Sequence, residues 1–107
     1  MKSEAYESAA TMFHVLSHRA RLHVLDELRK GEACVCHLQT VLGRPQAYVS
    51  QQLRVLREQR LVKDRKDGTL VYYQLADIQL EQVLADVLGP PGKRVCVEKC
   101  PCPHCQE

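Results

Sequence analysis

The sequence has no tryptophan, one phenylalanine and four tyrosines among 107 residues. So few aromatic rings leave little with which to line a large ligand pocket, and a small organic substrate is not expected. No run of about 18 consecutive apolar residues occurs, so no segment reads as a membrane-spanning helix. The first ten residues, MKSEAYESAA, carry acids and lack an apolar core, which argues against a secretory leader. Internal repeats are absent. Net charge is also scarce: 15 basic against 13 acidic side chains leave +2, a total that says little about nucleic acid.

The placement of that charge says more. Between Arg44 and Asp67 there are seven Arg or Lys residues and three acids, a local excess of +4. A basic block of this kind is the footprint that phosphate binding requires. The chain has the length of one domain, large enough to bury a core and small enough for a partner to help. Six cysteines without an export signal read as thiolates in a reducing cytoplasm rather than as disulfides. They form two groups, Cys34 with Cys36, and Cys96, Cys100, Cys102 and Cys105.

Hydrophobic periodicity predicts a helix over 4–15 through Tyr6, Ala9, Ala10, Phe13 and Leu16. Ser17 is the expected cap of a second helix with the stripe Leu22, Leu25 and Leu28, closed by Gly31 in a left-handed conformation. Leu38, Val41 and Leu42 mark a short third helix ending at Gly43. After Arg44-Pro45 comes a fourth helix with the buried stripe Val49, Leu53 and Leu56. From Val62 to Leu75 the period becomes two, with Asp67-Gly68 as a hairpin turn. Asp77 caps a last helix bearing Leu80, Val83, Leu84, Val87 and Leu88, which Gly89-Pro90-Pro91-Gly92 ends. The expected architecture is mainly α with a β-hairpin wing, a winged helix-turn-helix. Residues 1–90 form the DNA-binding and dimerisation domain, and 91–107 a cysteine-rich tail.

In such a fold the second helix of the helix-turn-helix enters the major groove. On the fourth helix the inward stripe leaves Gln46, Ala47, Tyr48, Ser50, Gln51 and Arg54 facing outward. Gln pairs well with adenine, Arg with guanine or phosphate, and Ser and Tyr with phosphate. Arg65, Lys66 and Thr69 are expected at the hairpin tip, along the adjacent backbone or minor groove.

The segments LSHRARLHVLDELRKGEACVCHL, VSQQLRVLREQRLV and RKDGTLVYYQL together resemble the ArsR/SmtB family of metal-sensing repressors, over about residues 10–88. EACVCHL is similar to that family's metal box, usually written ELCVCDL. The resemblance implies a homodimer that binds double-stranded operator DNA without metal and releases it when metal binds. Two departures stand out. Arsenite sensors of the plain type carry a third cysteine where this chain has Gln39. The zinc sensors' last-helix site begins Asp-x-His, whereas Asp77-Ile78-Gln79 lacks the histidine and none follows on that helix.

Cys34 and Cys36 in mid-helix would point about 200° apart, so they share an ion only at a frayed or pre-helical turn. Two thiolates also leave a trigonal or tetrahedral soft-ion shell incomplete. The tail can supply the rest, since the eight residues from Leu88 to Cys96 reach at most about 26–29 Å. The expected sensing site is therefore Cys34 and Cys36 with one or two of Cys96, Cys100, Cys102 and Cys105. The expected inducer is Cd(II), Pb(II), As(III), Sb(III) or Zn(II). His14 and His18 are separated by a helix break at Ser17, His23 reads as a surface or interface residue, and His37 either supports Cys36 or is exposed.

Three alternatives stand beside this reading. One is a thiol-redox or reactive-sulfur sensor of the same fold. Another is a DNA-binding module with a structural zinc knot in the tail. The third, a thiol oxidoreductase, requires a C-x-x-C at a helix start; Cys102-x2-Cys105 lies in a proline-broken segment instead, so no enzyme is expected. The apolar face of the last helix and the Tyr6–Phe13 helix are the expected dimer surface.

Overall fold

A computed structural model describes residues 2–93. Residues 94–107, including Cys96, Cys100, Cys102 and Cys105, lie outside the described residues, and with them most of the predicted 91–107 tail. The elements run α1 (Lys2–Leu16), α2 (Arg19–Arg29), β1 (Ala33–Cys34), α3 (Val35–Leu42), α4 (Gln46–Glu58), β2 (Val62–Asp67), β3 (Leu70–Leu75) and α5 (Ile78–Leu88). The predicted order of five helices and a hairpin is present. The third strand was not predicted: β1 pairs antiparallel with β3, giving the sheet order β1-β3-β2.

Local sequence explains most boundaries. Gly43 ends α3 at φ +65, a left-handed cap that costs a residue without Cβ nothing. Pro45, with φ −62, is the N-cap residue of α4, and Gln46 takes up the helix at once. The hairpin register pairs Asp67 with Leu70, so the two-residue loop is Gly68-Thr69, one position later than expected. Gly68 has φ +64 there, whereas Asp67 stays in the strand. Asp77 caps α5 as expected, its Oδ1 accepting from the backbone N–H groups of Gln79 and Leu80 at 2.9 and 3.2 Å.

One expectation at the ends of α2 fails. Ser17 does not cap α2; its hydroxyl donates to the His14 carbonyl at 2.8 Å and so finishes α1. His18 is the N-cap residue of α2 and offers no side-chain bond. At the other end Lys30 is the C-cap residue and Gly31 follows it at φ +139, a positive φ that favours glycine.

The core lies where α2, α3, α4 and α5 meet the sheet. Val24, Leu25, Leu28, Leu38, Val49, Leu53, Leu56, Leu80 and Leu84 are buried within it, while Leu22 of the predicted stripe is only half-buried. Burial of side chains of this size contributes about 1.5–3 kcal/mol each. Polar groups enter this packing as well: buried Gln52 of α4 accepts from Arg21 Nε of α2 at 2.9 Å, fixing α4 against α2. At the far end Arg29 Nη1 donates to the Gly89 carbonyl at 2.7 Å and ties α2 to the end of α5.

Candidate nucleic-acid interface and cysteine site

Because Val49, Gln52, Leu53 and Leu56 point inward, α4 turns Gln46, Ala47, Ser50, Gln51 and Arg54 to solvent, with Tyr48 half-buried on one flank. Arg44, in the α3–α4 turn, lays its guanidinium over the Tyr48 ring at 4.2 Å. Ala47, Ser50, Gln51, Arg54 and Arg57 share a hollow of about 450 Å³ with Tyr73 of the wing. Burial, then the nearby Asp64 carboxylate, push the Tyr73 phenol above its ordinary value of 10, so it remains a protonated donor facing that hollow. Of the α4 residues predicted to face DNA, Ala47, Ser50, Gln51 and Arg54 thus share one hollow, Gln46 is exposed at the start of the helix, and Tyr48 lies on the other flank.

The wing differs in part from expectation. Lys66 and Thr69 are exposed near the loop, as predicted. Arg65 lies three positions before the loop, opposite Tyr72. Its guanidinium donates to both carboxylate oxygens of Glu32 at 2.7 and 3.1 Å and covers the Tyr72 ring at 4.7 Å. Arg65 is therefore anchored along the wing rather than standing at its tip. Its partner is remote in sequence, which is why periodicity did not reveal it.

Cys34 ends β1 and is the N-cap residue of α3; its buried Sγ accepts from the His37 backbone N–H at 3.4 Å. Cys36, in the first turn of α3, is half-buried. The pair therefore straddles the start of α3, with Cys34 in an extended conformation before the helix and Cys36 within its first turn, so the divergence of two mid-helix positions does not apply.

His37 is neither exposed nor loosely placed. It is 1% exposed, and its Nε2 lies 2.9 Å from Oε1 of Glu27, itself 2% exposed. The other Glu27 oxygen accepts from Lys30 Nζ at 2.9 Å. Burial alone would raise the Glu27 pKa, but the bonds from His37 and Lys30 outweigh it and hold the carboxyl below its ordinary value. The cap sulfur, the His37 backbone and ring, and the α2 carboxylate form one chain of contacts linking the start of α3 to α2. Sequence reading missed Glu27, although an acid three residues after Val24 on a buried face was a usable sign.

Among the described residues no group of three or more His, Cys, Asp or Glu side chains is arranged to hold a metal ion. Cys34 and Cys36 are the cysteines among the described residues, and thiolate sulfur is a soft donor of the kind that suits a thiophilic ion. His14 and His18 are divided by the break between α1 and α2, as expected. No helix among the described residues is long and apolar enough to cross a membrane.

Among the described residues the large exposed hydrophobics lie on α1 and α5: Tyr6, Phe13, Ile78, Val87 and Leu88, with Ile78 at 84% and Val87 at 71%. The predicted dimer surface draws on the same two helices.

Comparison with known proteins agrees with this geometry. The family model described as "Bacterial regulatory protein, arsR family" matches residues 18–64, from the α2 cap into β2. The "Transcriptional repressor SmtB homolog" of Synechocystis is 38% identical over 87 residues, covering 81% of this chain and 66% of that protein. The "Arsenical resistance operon repressor" of Staphylococcus aureus is 32% identical over 83 residues, covering 78% of this chain and 80% of that one. Among solved structures, a homodimeric winged helix-turn-helix DNA-binding domain from Mycobacterium bovis, described as a possible ArsR-family regulator, superimposes with a TM-score of 0.74. It is 30% identical and covers 81% of each chain. These relatives are transcriptional regulators and not enzymes. With its winged helix, outward-facing polar α4 and a matching stretch that runs through both, this chain belongs to the ArsR family of bacterial transcriptional regulators.

Proposed function

We propose that the chain is a cytoplasmic, metal- or metalloid-responsive repressor. It binds double-stranded operator DNA as a homodimer and releases it when a thiophilic ion is bound by Cys34 and Cys36 together with cysteines of the 94–107 segment. The observation that carries this reading is the position of Cys34, at once the cap of α3 and one short helix before α4. An ion drawn to the two thiolates biases the start of α3, and α4 follows through the Gly43–Pro45 turn. In a dimer the two α4 helices must enter successive major grooves about 34 Å apart. A shift in that spacing amounts to a coupling free energy of about 1–3 kcal/mol.

Support for an ion as inducer comes from the soft donor set and from relatives named for arsenical resistance and as SmtB repressors. The bases are read by Gln46, Ser50, Gln51 and Arg54, while Tyr48, Lys66 and Thr69 take phosphates, with Ala47 allowing close approach. Arg65 contributes charge along the wing while held by Glu32.

The test is a DNA-binding titration at fixed salt against Cd(II), Pb(II), Zn(II), As(III), Sb(III) and an oxidant. It is run with the parent chain, Cys36→Ser, Cys34→Ser and a chain ending at Gly92. Release by one or more ions, lost in all three variants, is the expected result. Release of the metal-free protein by oxidant alone favours redox sensing instead. Unchanged ion-induced release from Cys34→Ser and Cys36→Ser refutes the site.

A further inference from the structure

A hollow of about 380 Å³ lies on the flank of α4 away from the wing, lined by His18, Arg19, His23, Leu42, Arg44 and Tyr48. Its polar lining is basic or neutral throughout. Arg19 and Arg44 are exposed and have no carboxylate partner among the described residues, unlike Arg29, Arg57 and Arg65. Its floor is the start of α2, an 11-residue helix with neither a side-chain cap nor an acid in its first turn. Its first backbone N–H groups and the positive end of its dipole therefore remain available to an anion. His18 lines this hollow, and its Nδ1 is buried without a hydrogen-bond partner among the described residues. Such an atom calls for a ligand or an ordered water.

The position of this hollow matters as much as its charge. Tyr48 and Arg57 are nine residues apart on α4, which at 100° per residue places them on opposite flanks, about 180° apart. Arg54 and Arg57 line the hollow on the wing side and Arg44 and Tyr48 the hollow on the α2 side. The B-DNA major groove is about 12 Å wide, close to the diameter of a helix with its side chains. A helix seated in that groove has a sugar-phosphate strand along each flank. One flank thus meets Arg57 and the wing, and the other meets this second basic hollow.

We infer that the hollow bounded by His18, Arg19, Arg44 and Tyr48 is a phosphodiester-binding site for the DNA strand on the α2 side of α4. It clamps the duplex from the flank opposite the wing. Arg44, steadied over Tyr48, and Arg19 supply the charge, the Tyr48 hydroxyl and the α2 N–H groups supply donors, and no base is read there. This site rests on the proposal that α4 enters the major groove.

The test is fluorescence anisotropy of a labelled mixed-sequence duplex, titrated with protein at several salt concentrations. The parent chain is compared with Arg19→Ala/Arg44→Ala and with Arg54→Ala, each checked for a parental melting temperature. If the site holds one phosphate, the double variant lowers the slope of log K against log salt by about 0.9 per protomer. That loss is the same on two duplexes of unrelated sequence. A double variant with the parental slope, while Arg54→Ala still weakens binding, overturns this site and leaves the α4 proposal standing. If the parent shows no salt-dependent binding to any duplex, the α4 proposal fails and this site fails with it.

Discussion

Replacing Glu27 by alanine removes the carboxylate that joins His37 to Lys30 in the interior between α2 and α3. The two consequences differ in size. Lys30, whose side chain is 15% exposed, can turn its ammonium to water. The His37 ring, 1% exposed, cannot, and is left with a buried nitrogen facing the gap. A hydrogen bond to a charged group contributes about 1.5–3 kcal/mol, and a stranded buried polar group costs about 1–3 kcal/mol. The two overlap, so the loss for Glu27→Ala is about 2–4 kcal/mol. For a domain of this length that lowers the melting temperature by roughly 10–25 °C. The assay is urea and thermal unfolding followed by far-UV circular dichroism at matched protein concentration, because association shifts apparent stability. Running Glu27→Ala, His37→Ala and the double variant closes a cycle whose coupling term is expected at about 1.5–3 kcal/mol. A coupling below about 0.5 kcal/mol refutes the reasoning, since the two side chains would then be contributing independently.

The same carboxylate makes a pH prediction. Its pKa in the folded chain is lowered from 4.5, so its stabilising contribution is complete above about pH 4.5 and disappears as pH falls through the lower folded value. Below pH 4.5 the parent is expected to lose its stability advantage over Glu27→Gln, measured by unfolding at pH 7 and at pH 3. Gly43→Ala meets nothing within 4 Å of the new Cβ yet is held at φ +65, so a loss of about 1–2 kcal/mol by conformational strain alone is expected in urea unfolding. Val87→Glu places a charge on the exposed apolar face of α5. Sedimentation equilibrium at micromolar concentration is expected to show a shift from dimer toward monomer, with the helical content of the monomer preserved.

The helical periods were legible because their signals are local. Leu38, Val49, Leu53, Leu56, Leu80 and Leu84 repeat at helical spacing and are all buried, and Gly43 and Asp77 terminate elements by chemistry confined to a few residues. The α4 surface followed directly, since naming its inward residues names its outward ones. What escaped notice depends on partners distant along the chain. The two-residue strand β1 exists only because β3 lies beside it, and it is too short to show a period. Arg65 reads as a free basic residue until Glu32, 33 positions earlier, is brought beside it. His37 reads as either a support for Cys36 or an exposed residue until Glu27 faces it across α2 and α3. Ser17 carried a genuine capping preference, but the neighbouring helix end claimed its hydroxyl.

The position of Cys34 has a consequence for how freely the sequence can vary. Its backbone pairs with Tyr72 in the sheet, its sulfur accepts from the first turn of α3, and its side chain packs with Tyr72 in a small buried cluster fringed by Cys36, Val41 and Leu70. A residue there must tolerate an extended backbone, fill a small apolar space and accept a hydrogen bond. Valine or alanine meets the first two demands and fails the third. Aspartate meets the third and brings a charge into an interior built for a thiol. Serine comes nearest in shape but leaves a more polar group in the same dry space. Few side chains can stand at position 34 even in a chain that senses nothing, whereas half-exposed Cys36 is much less constrained. Of the two cysteines, Cys36 is therefore where this scaffold can exchange one ligand chemistry for another without rebuilding its wing.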